Sequence, residues 1–596
     1  MTATTTGRPP AVSGAAGRTL RPGAGARTGQ VVTTQVAVAA LVAAVGRGVA
    51  VSAAALLLAA VLLPATWARW RGRWLHEWLF IGLGHLGRPR ALPATAGPAA
   101  LLGLVAPGTT VHPVELAGGP AAVLDDPAGT TALLEIGDPG DLLGDGPRAL
   151  PTPLSLLPPT GPDSPPVRIQ LLLSASPAPA PGTRAGPAGV SYRQLTDGRL
   201  AARSRAVLAV RVFRPEGWSD AELRRALAGA VRRIVRRLGP LTGRPLGGPA
   251  ALRVVAELAH HDPGAPVRES WPAVTAGGLT QATYRLRRWP DPHGEAGRRL
   301  VPRLLALPVT AATVALCVGP RAGADTGPVP VELTVRLAAR TATELSVADR
   351  ALRRLVGDLG ATVRRLDGEH LAGLAATLPL AVARGGVPVA GAELAALELP
   401  LGESGLMVGT NRHGGGVTVR LFGPGPTRLL LVGGVRAAQL MALRALALGA
   451  RVVVRTGRPR AWEPFVRGVG GAVPLLPPGR PVGGAPGSPL QPLLLVADGG
   501  APPAETGPWC SVLLLREELA AADAPALARA DLAILQPLDP GEAALAGAAL
   551  GLGGSARWLT RIRDDMVAVV NRRALRWALL SPTPIEAQLV GRPSRR

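Results

Sequence analysis

Two apolar runs near the start of the chain constrain its fold more than any other feature. Residues 31–45 and 49–63 consist mostly of Ala, Val and Leu, and Gly46-Arg47-Gly48 separates them. A spanning helix needs about 20 apolar residues. One straight helix through both runs would hold Arg47 near mid-bilayer at a high cost, whereas a hairpin puts it at the far interface. A collar follows: Trp67, Arg69, Trp70, Arg71, Arg73, Trp74 and Trp78, then Arg88 and Arg90. Trp collects at headgroup level, and Arg collects on the cytoplasmic side. The preceding tail carries Arg8, Arg18, Arg21 and Arg27 without an acid. The sequence therefore predicts a transmembrane helical hairpin in the plasma membrane, multi-pass, with both termini and the bulk of the chain cytoplasmic. A signal peptide would explain the first run and fail on the second. A single span and a buried hairpin of a globular domain are the other readings.

The 65 basic residues outnumber 40 acids, for a net charge of +25, and every one of them is Arg. Without lysine there is no Walker A, Schiff-base or kinase-type lysine chemistry. The arginines are spread along the chain with few aromatics between them. This favours an anionic inner leaflet or an acidic partner over nucleic acid. Cys317 and Cys510 lie in apolar, strand-like runs without disulfide or metal spacing, and read as buried free thiols.

Residues 1–30 read as a disordered cytoplasmic tail, 31–70 as the hairpin, and 71–190 as a membrane-proximal segment with a small β-rich insert and a linker. Residues 191–400 read as a cytoplasmic α+β domain with ferredoxin-like layering, because strands at 206–213, 279–287, 310–318 and 331–337 alternate with helices at 223–238 and 344–359. Residues 251–258 are expected to be another strand. Residues 401–596 read as a Rossmann-like α/β domain. A buried strand at 429–432 meets Gly433-Gly434 and a helix at 435–448, and further strands lie at 451–455, 493–496, 511–515 and 532–535.

Little catalytic chemistry is written in the sequence. Gly433-Gly434 sits where a phosphate loop would sit, but the dinucleotide fingerprint is incomplete and Arg455-Thr456 replaces the ribose-binding acid. Asp498, at a strand's C-terminal end, has no second acid beside it. His260-His261-Asp262 reads as a turn, not a zinc site. No cofactor, metal or small-molecule substrate is expected.

Several stretches together resemble one family, the EccE component of type VII (ESX) secretion systems of actinobacteria. They are the hairpin with Arg71-Gly72-Arg73-Trp74-Leu75; Ser270-Trp271-Pro272, Gly277-Gly278-Leu279, Tyr284 and Trp289-Pro290-Asp291; Gly433-Gly434, the run from Arg444 through Gly449, and Thr456-Gly-Arg-Pro459 with Trp462; and Asp498-Gly499 with Ser581-Pro-Thr-Pro-Ile-Glu586. The resemblance implies a non-catalytic membrane subunit at the periphery of a core with EccB, EccC and EccD, supporting export of WXG100-type proteins. It also implies a C-terminal domain similar to a glycosyltransferase-like layer without its catalytic groups. The alternative is a membrane-tethered enzyme or sensor that binds a nucleotide-sugar or other anion at Gly433, Gly434 and Asp498.

Overall fold

The computed structural model describes residues 22–70, 73–137, 141–144, 148–159, 161, 164–291, 294–321, 327–401, 404–500, 507–572 and 574–595, with the side chains of 22–29 and of 65 excepted. The chain divides into two units, Met1–Pro89 and Arg90–Arg596.

In the first unit, Gly46 and Gly48 take positive φ and reverse the chain. Helix α1 (Pro22–Ala44) thereby folds back on α2 (Val49–Trp67). The membrane expectation is overturned: among the described residues no helix is long and apolar enough to cross a membrane. Polar residues dilute α1, and two of them serve the helix pair. Gln30 is buried and donates to the Thr66 carbonyl, and Thr34 accepts from Trp67 Nε1 at 2.9 Å. Helix α2 has 19 residues with Pro64 inside it. At 1.5 Å per residue it spans about 28 Å, against a hydrocarbon core of about 30 Å. The multi-pass plasma-membrane localisation falls with the span.

The aromatic collar packs on itself instead. Arg69–Trp70 and Arg73–Trp74 pair as two short antiparallel strands, and α3 (Leu75–Leu86) follows. Trp67 meets Trp74 edge-on and Trp70 meets Trp78, while Arg69 lies 3.8 Å over the Trp74 ring and Arg73 5.1 Å over Trp78. Arg47 is exposed at the turn, and Arg71 lies outside the described residues.

The second unit holds two large sheets. The first is antiparallel throughout. It uses β1 (Thr110–Leu116), β2 (Gly119–Asp126), β3 (Gly129–Ile136), β4 (Val167–Pro177), β5 (Ala201–Phe213), β6 (Leu279–Arg288), β7 (Ala311–Val318) and β8 (Val329–Ala339). Their spatial order is β6-β8-β7-β4-β5-β3-β2-β1. The middle segment is therefore not a self-contained ferredoxin-like layer. Strand β4, from the expected insert, pairs with β5 along most of its length and with β7 on its other side. It stands near the centre of the sheet.

Period-2 alternation divides these strands between two cores. Leu171, Leu173, Leu208 and Val210 face one side, with α4 (Asp220–Leu238). Leu172 and Val207 face the other, with α5 (Gly248–Ala259). Helix α4 starts where Ser219 and Glu222 form a reciprocal cap. It buries Leu223, Leu227, Val231, Ile234 and Leu238 while Arg224, Arg225, Arg232 and Arg233 stay in solvent. The strand expected at 251–258 is helix α5. Pro249 opens its first turn, and Ala251, Val254, Val255 and Leu258 lie on one face at helical spacing. Its C-terminal carbonyls are held by buried strand residues: Arg336 donates to Leu258 and Gln281 to Ala259. A cation at that end also complements the helix dipole.

Helix α6 (Ala342–Asp358) packs on the core of the first sheet through Leu345, Leu352 and Val356. The second sheet is a mixed α/β layer. It includes β9 (Leu406–Thr410), β10 (Thr427–Val432), β11 (Arg451–Thr456), β12 (Leu493–Asp498), β13 (Cys510–Arg516), β14 (Leu532–Leu535), β15 (Met566–Asn571) and β16 (Leu575–Leu579), with two shorter strands, Gly416–Val419 and Leu475–Leu476, at its edges. The order β14-β10-β13-β12-β11 is parallel, and β15 and β16 extend it antiparallel past β14. Helix α7 (Val435–Ala447) carries the chain from β10 to β11, whereas α8 (Pro540–Leu550) carries it from β14 towards β15, on the other side. A last short helix, α9 (Pro584–Leu589), closes the layer. Cys317 and Cys510 are both buried.

Candidate functional site

In a layer of this kind ligands bind where neighbouring parallel strands send their connections in opposite directions. Here that place is between the C-terminal ends of β10 and β14, at Gly433-Gly434 and Gln536. Its space is occupied by the chain itself. Gln536 is fully buried; its Oε1 accepts the Gly434 N–H at 2.8 Å, and its Nε2 donates to the Pro593 carbonyl. A Cβ on Gly433 would stand 2.3 Å from Gln536 Oε1, and one on Gly434 would stand 2.9 Å from the Ser594 carbonyl. The two glycines therefore admit the protein's own groups at the start of α7, where a phosphate would otherwise sit.

Arg595 fastens this folded-back segment. It donates to the Pro537 and Glu517 carbonyls and forks onto Glu542. Glu542 also accepts the Leu519 and Asp539 N–H groups. Burial alone would raise its pKa. Arg595 and the two N–H donors outweigh that and bring it down to about 2.

Asp498 is engaged as well. It accepts from Thr456 Oγ1 and Trp462 Nε1, both at 2.8 Å, and pairs with Arg458 at 2.6 Å. Burial works against its charge, but these donors prevail and hold the carboxyl below its usual range. Thr456, Arg458, Trp462 and Asp498, separate motifs in the sequence, make one knot at the ends of β11 and β12.

Arg444 makes a second knot. It is fully buried, forks onto Glu586 at 2.8 Å through Nε and Nη2, and donates to the carbonyls of Met407, Val408 and Leu580. Thr583 caps α9: its Oγ1 accepts the Glu586 N–H, and its own N–H donates to the Glu586 carboxylate. Trp271 is exposed on its loop and its carbonyl accepts the Gly368 N–H. Trp289 packs against the first core and Pro290 is buried.

Gly277 and Gly278 form the two-residue turn into β6, with φ of +54° and +73°. A Cβ on Gly277 would lie 2.0 Å from the His260 carbonyl, while one on Gly278 meets nothing within 4 Å. Gly277→Ala should therefore cost at least about 2 kcal/mol, strain plus clash, and Gly278→Ala about 1 kcal/mol from strain alone. Urea unfolding of both variants checks the contrast.

One large concavity remains open. A cleft of about 1130 Å³ lies between the antiparallel sheet and the α/β layer. Among the described residues, nine arginines line it against four carboxylates, Glu135, Asp141, Glu257 and Asp531. Arg205 is neutralised within it, bridging Glu135 at 2.6 Å and Glu257. Arg451 and Arg340 are turned onto backbone carbonyls of Gly483, Ala485 and Leu490. Arg203 lies over the Trp509 ring at 4.9 Å.

No family model matches the chain. No curated protein matches it either. Among solved structures it is similar to a glycopeptide hexose oxidase complexed with teicoplanin, at 13% identity and a TM-score of 0.20, over 40% of this chain and 42% of that one. The chain thus spans less than half of the oxidase's length, and a likeness at that level carries no argument about fold or chemistry.

The sequence reading missed Arg203, Trp509, Gln536, Glu542 and Arg595. Only the Glu542 position left a local signal, since Asp539 and Glu542 have capping-box spacing ahead of an Ala-rich run. Among the described residues no group of three or more His, Cys, Asp or Glu is placed to hold a metal ion.

Proposed function

We propose that the chain is a non-catalytic structural subunit of a multi-protein assembly, and that this assembly is a type VII secretion core of the kind its motifs resemble. One observation carries the non-catalytic part: the ligand crevice of the α/β layer is filled by Gln536 and the segment 591–595, and Asp498 is saturated by its own neighbours. The residues of the resemblance in the second unit pack as turns and buried knots. The first unit supplies a surface for partners. Val49, Leu56, Leu57 and Val61 on α2 and Phe80 and Leu83 on α3 are exposed apolar side chains, the material from which interaction sites are built.

Affinity purification of the tagged chain from its native host, with mass spectrometry, tests the reading. Subunits of the EccB, EccC and EccD kind should co-purify, and deleting residues 31–63 should remove them. Recovery of the chain alone would sink the proposal. Thermal stabilisation by a nucleotide-sugar that disappears in Asp498→Ala would sink the non-catalytic part and favour an enzyme or sensor.

A further inference from the structure

The basic cleft differs from the protein's other arginine clusters. Arg444 and Arg595 are matched to carboxylates and carbonyls in full forks. In the cleft, Arg205 already holds both nearby glutamates, Glu135 and Glu257. Arg203 is left half-buried against Trp509, with its Nη1 out of solvent and without a hydrogen-bond partner among the described residues. Arg253 projects from α5 one turn before Glu257, exposed on the same lining. Arg420 enters from the α/β side. A desolvated guanidinium lacking a full set of acceptors is costly. An oxyanion that accepts two parallel N–H bonds removes that cost.

We propose that this cleft binds a phosphorylated small molecule of nucleotide size, its phosphates held by Arg203, Arg253 and Arg420. Size and shape favour this class over an acidic peptide. Small-molecule sites run to about 1,000 Å³ and are lined by apolar surface with a few fixed polar groups. This cleft has such dimensions and such walls, including Leu421, Phe422, Leu446 and Leu448. A Gly-Pro-Gly-Pro turn at 423–426 forms part of the wall and presents no long side chain to the ligand. Burial lowers the Arg203 pKa to about 10, with Glu257 opposing and Arg205 adding to the shift. The group remains a cation at neutral pH, and a bound anion would restore its usual value. The site is independent of the proposed role as an assembly subunit, since it lies far in sequence from the apolar helices and shares no residue with the filled crevice.

The test is calorimetric titration of the full chain with ATP and with inorganic triphosphate as probes, at 0.05 M and at about 0.3 M salt. Binding of either probe should survive the higher salt. Arg203→Gln and Arg253→Gln should each weaken it by about tenfold, the effect of losing one charge-assisted contact. Arg232→Gln with Arg233→Gln, on the solvent face of α4, should leave it unchanged. An unaltered melting temperature and near-UV spectrum would show that the cleft variants fold. Equal weakening in the α4 control, or no binding of either probe, would overturn the proposal. So would a poly-glutamate peptide that binds more tightly than both probes and is lost in Arg203→Gln.

Discussion

Arg444→Ala should destabilise the second unit by about 3–5 kcal/mol, the cost of leaving a buried carboxylate without its partner. Glu586 is 1% exposed, and its two oxygens meet Arg444 Nε and Nη2 at 2.8 Å each. Removing the guanidinium also strips donors from the carbonyls of Met407, Val408 and Leu580. Those three carbonyls belong to β9 and to the segment after β16, so the loss is shared by β9, β16 and α9. Arg444→Lys should recover only part of it, because a point-charge ammonium cannot reproduce the planar fork. The double variant Arg444→Met with Glu586→Leu should cost less than the sum of the two single changes, since neither charge is then stranded. Urea unfolding of the four proteins measures the coupling. Strict additivity would mean that the pair is not the joint that the geometry describes.

The same joint explains how far the sequence could be read. Periodicity and caps are local properties, and they place the elements well. The strand expected at 429–432 is β10, the helix expected at 435–448 is α7, and Ser219 with Glu222 marks the start of α4. At 251–258 the branched side chains of Val254-Val255 suggest a strand. The Gly-Gly-Pro start and the 251/254/255/258 stripe decide for a helix. Pairing is not local. Nothing near Val167 announces that its strand lies between residues of two later segments, so the insert looked separate when it is central.

The hairpin was read correctly as two helices and wrongly as a membrane span. Gln30, just ahead of the first apolar run, and Thr34, within it, bond across the helix pair. At the candidate site Gly433-Gly434 was legible as a helix entry. What faces it was not, because Gln536 and residues 593–595 come together there only in the folded chain.

The segment 591–595 gives the second large effect, and it is readable by pH. Glu542 has a folded pKa of about 2, because Arg595 and the Leu519 and Asp539 N–H groups outweigh its burial. An unfolded glutamate titrates near about 4.3. The folded value is the lower one, so the carboxylate's contribution is complete above the unfolded value and is lost as pH falls from about 4.3 towards 2. The full difference corresponds to about 3 kcal/mol. Screening at the protein's edge, where Arg595 is in part solvated, reduces it to about 2 kcal/mol. Glu542→Gln should therefore lower stability at neutral pH by about 2 kcal/mol and flatten the acid limb of the stability curve by the same amount. Arg595→Ala should act in the same direction and add little in the double variant, because both changes break one latch. If the latch closes the crevice as described, either variant should also speed proteolysis after Leu589 while leaving the first unit's cleavage pattern unchanged. An acid limb identical to that of the parent chain would show that Glu542 is not the group through which this segment is held.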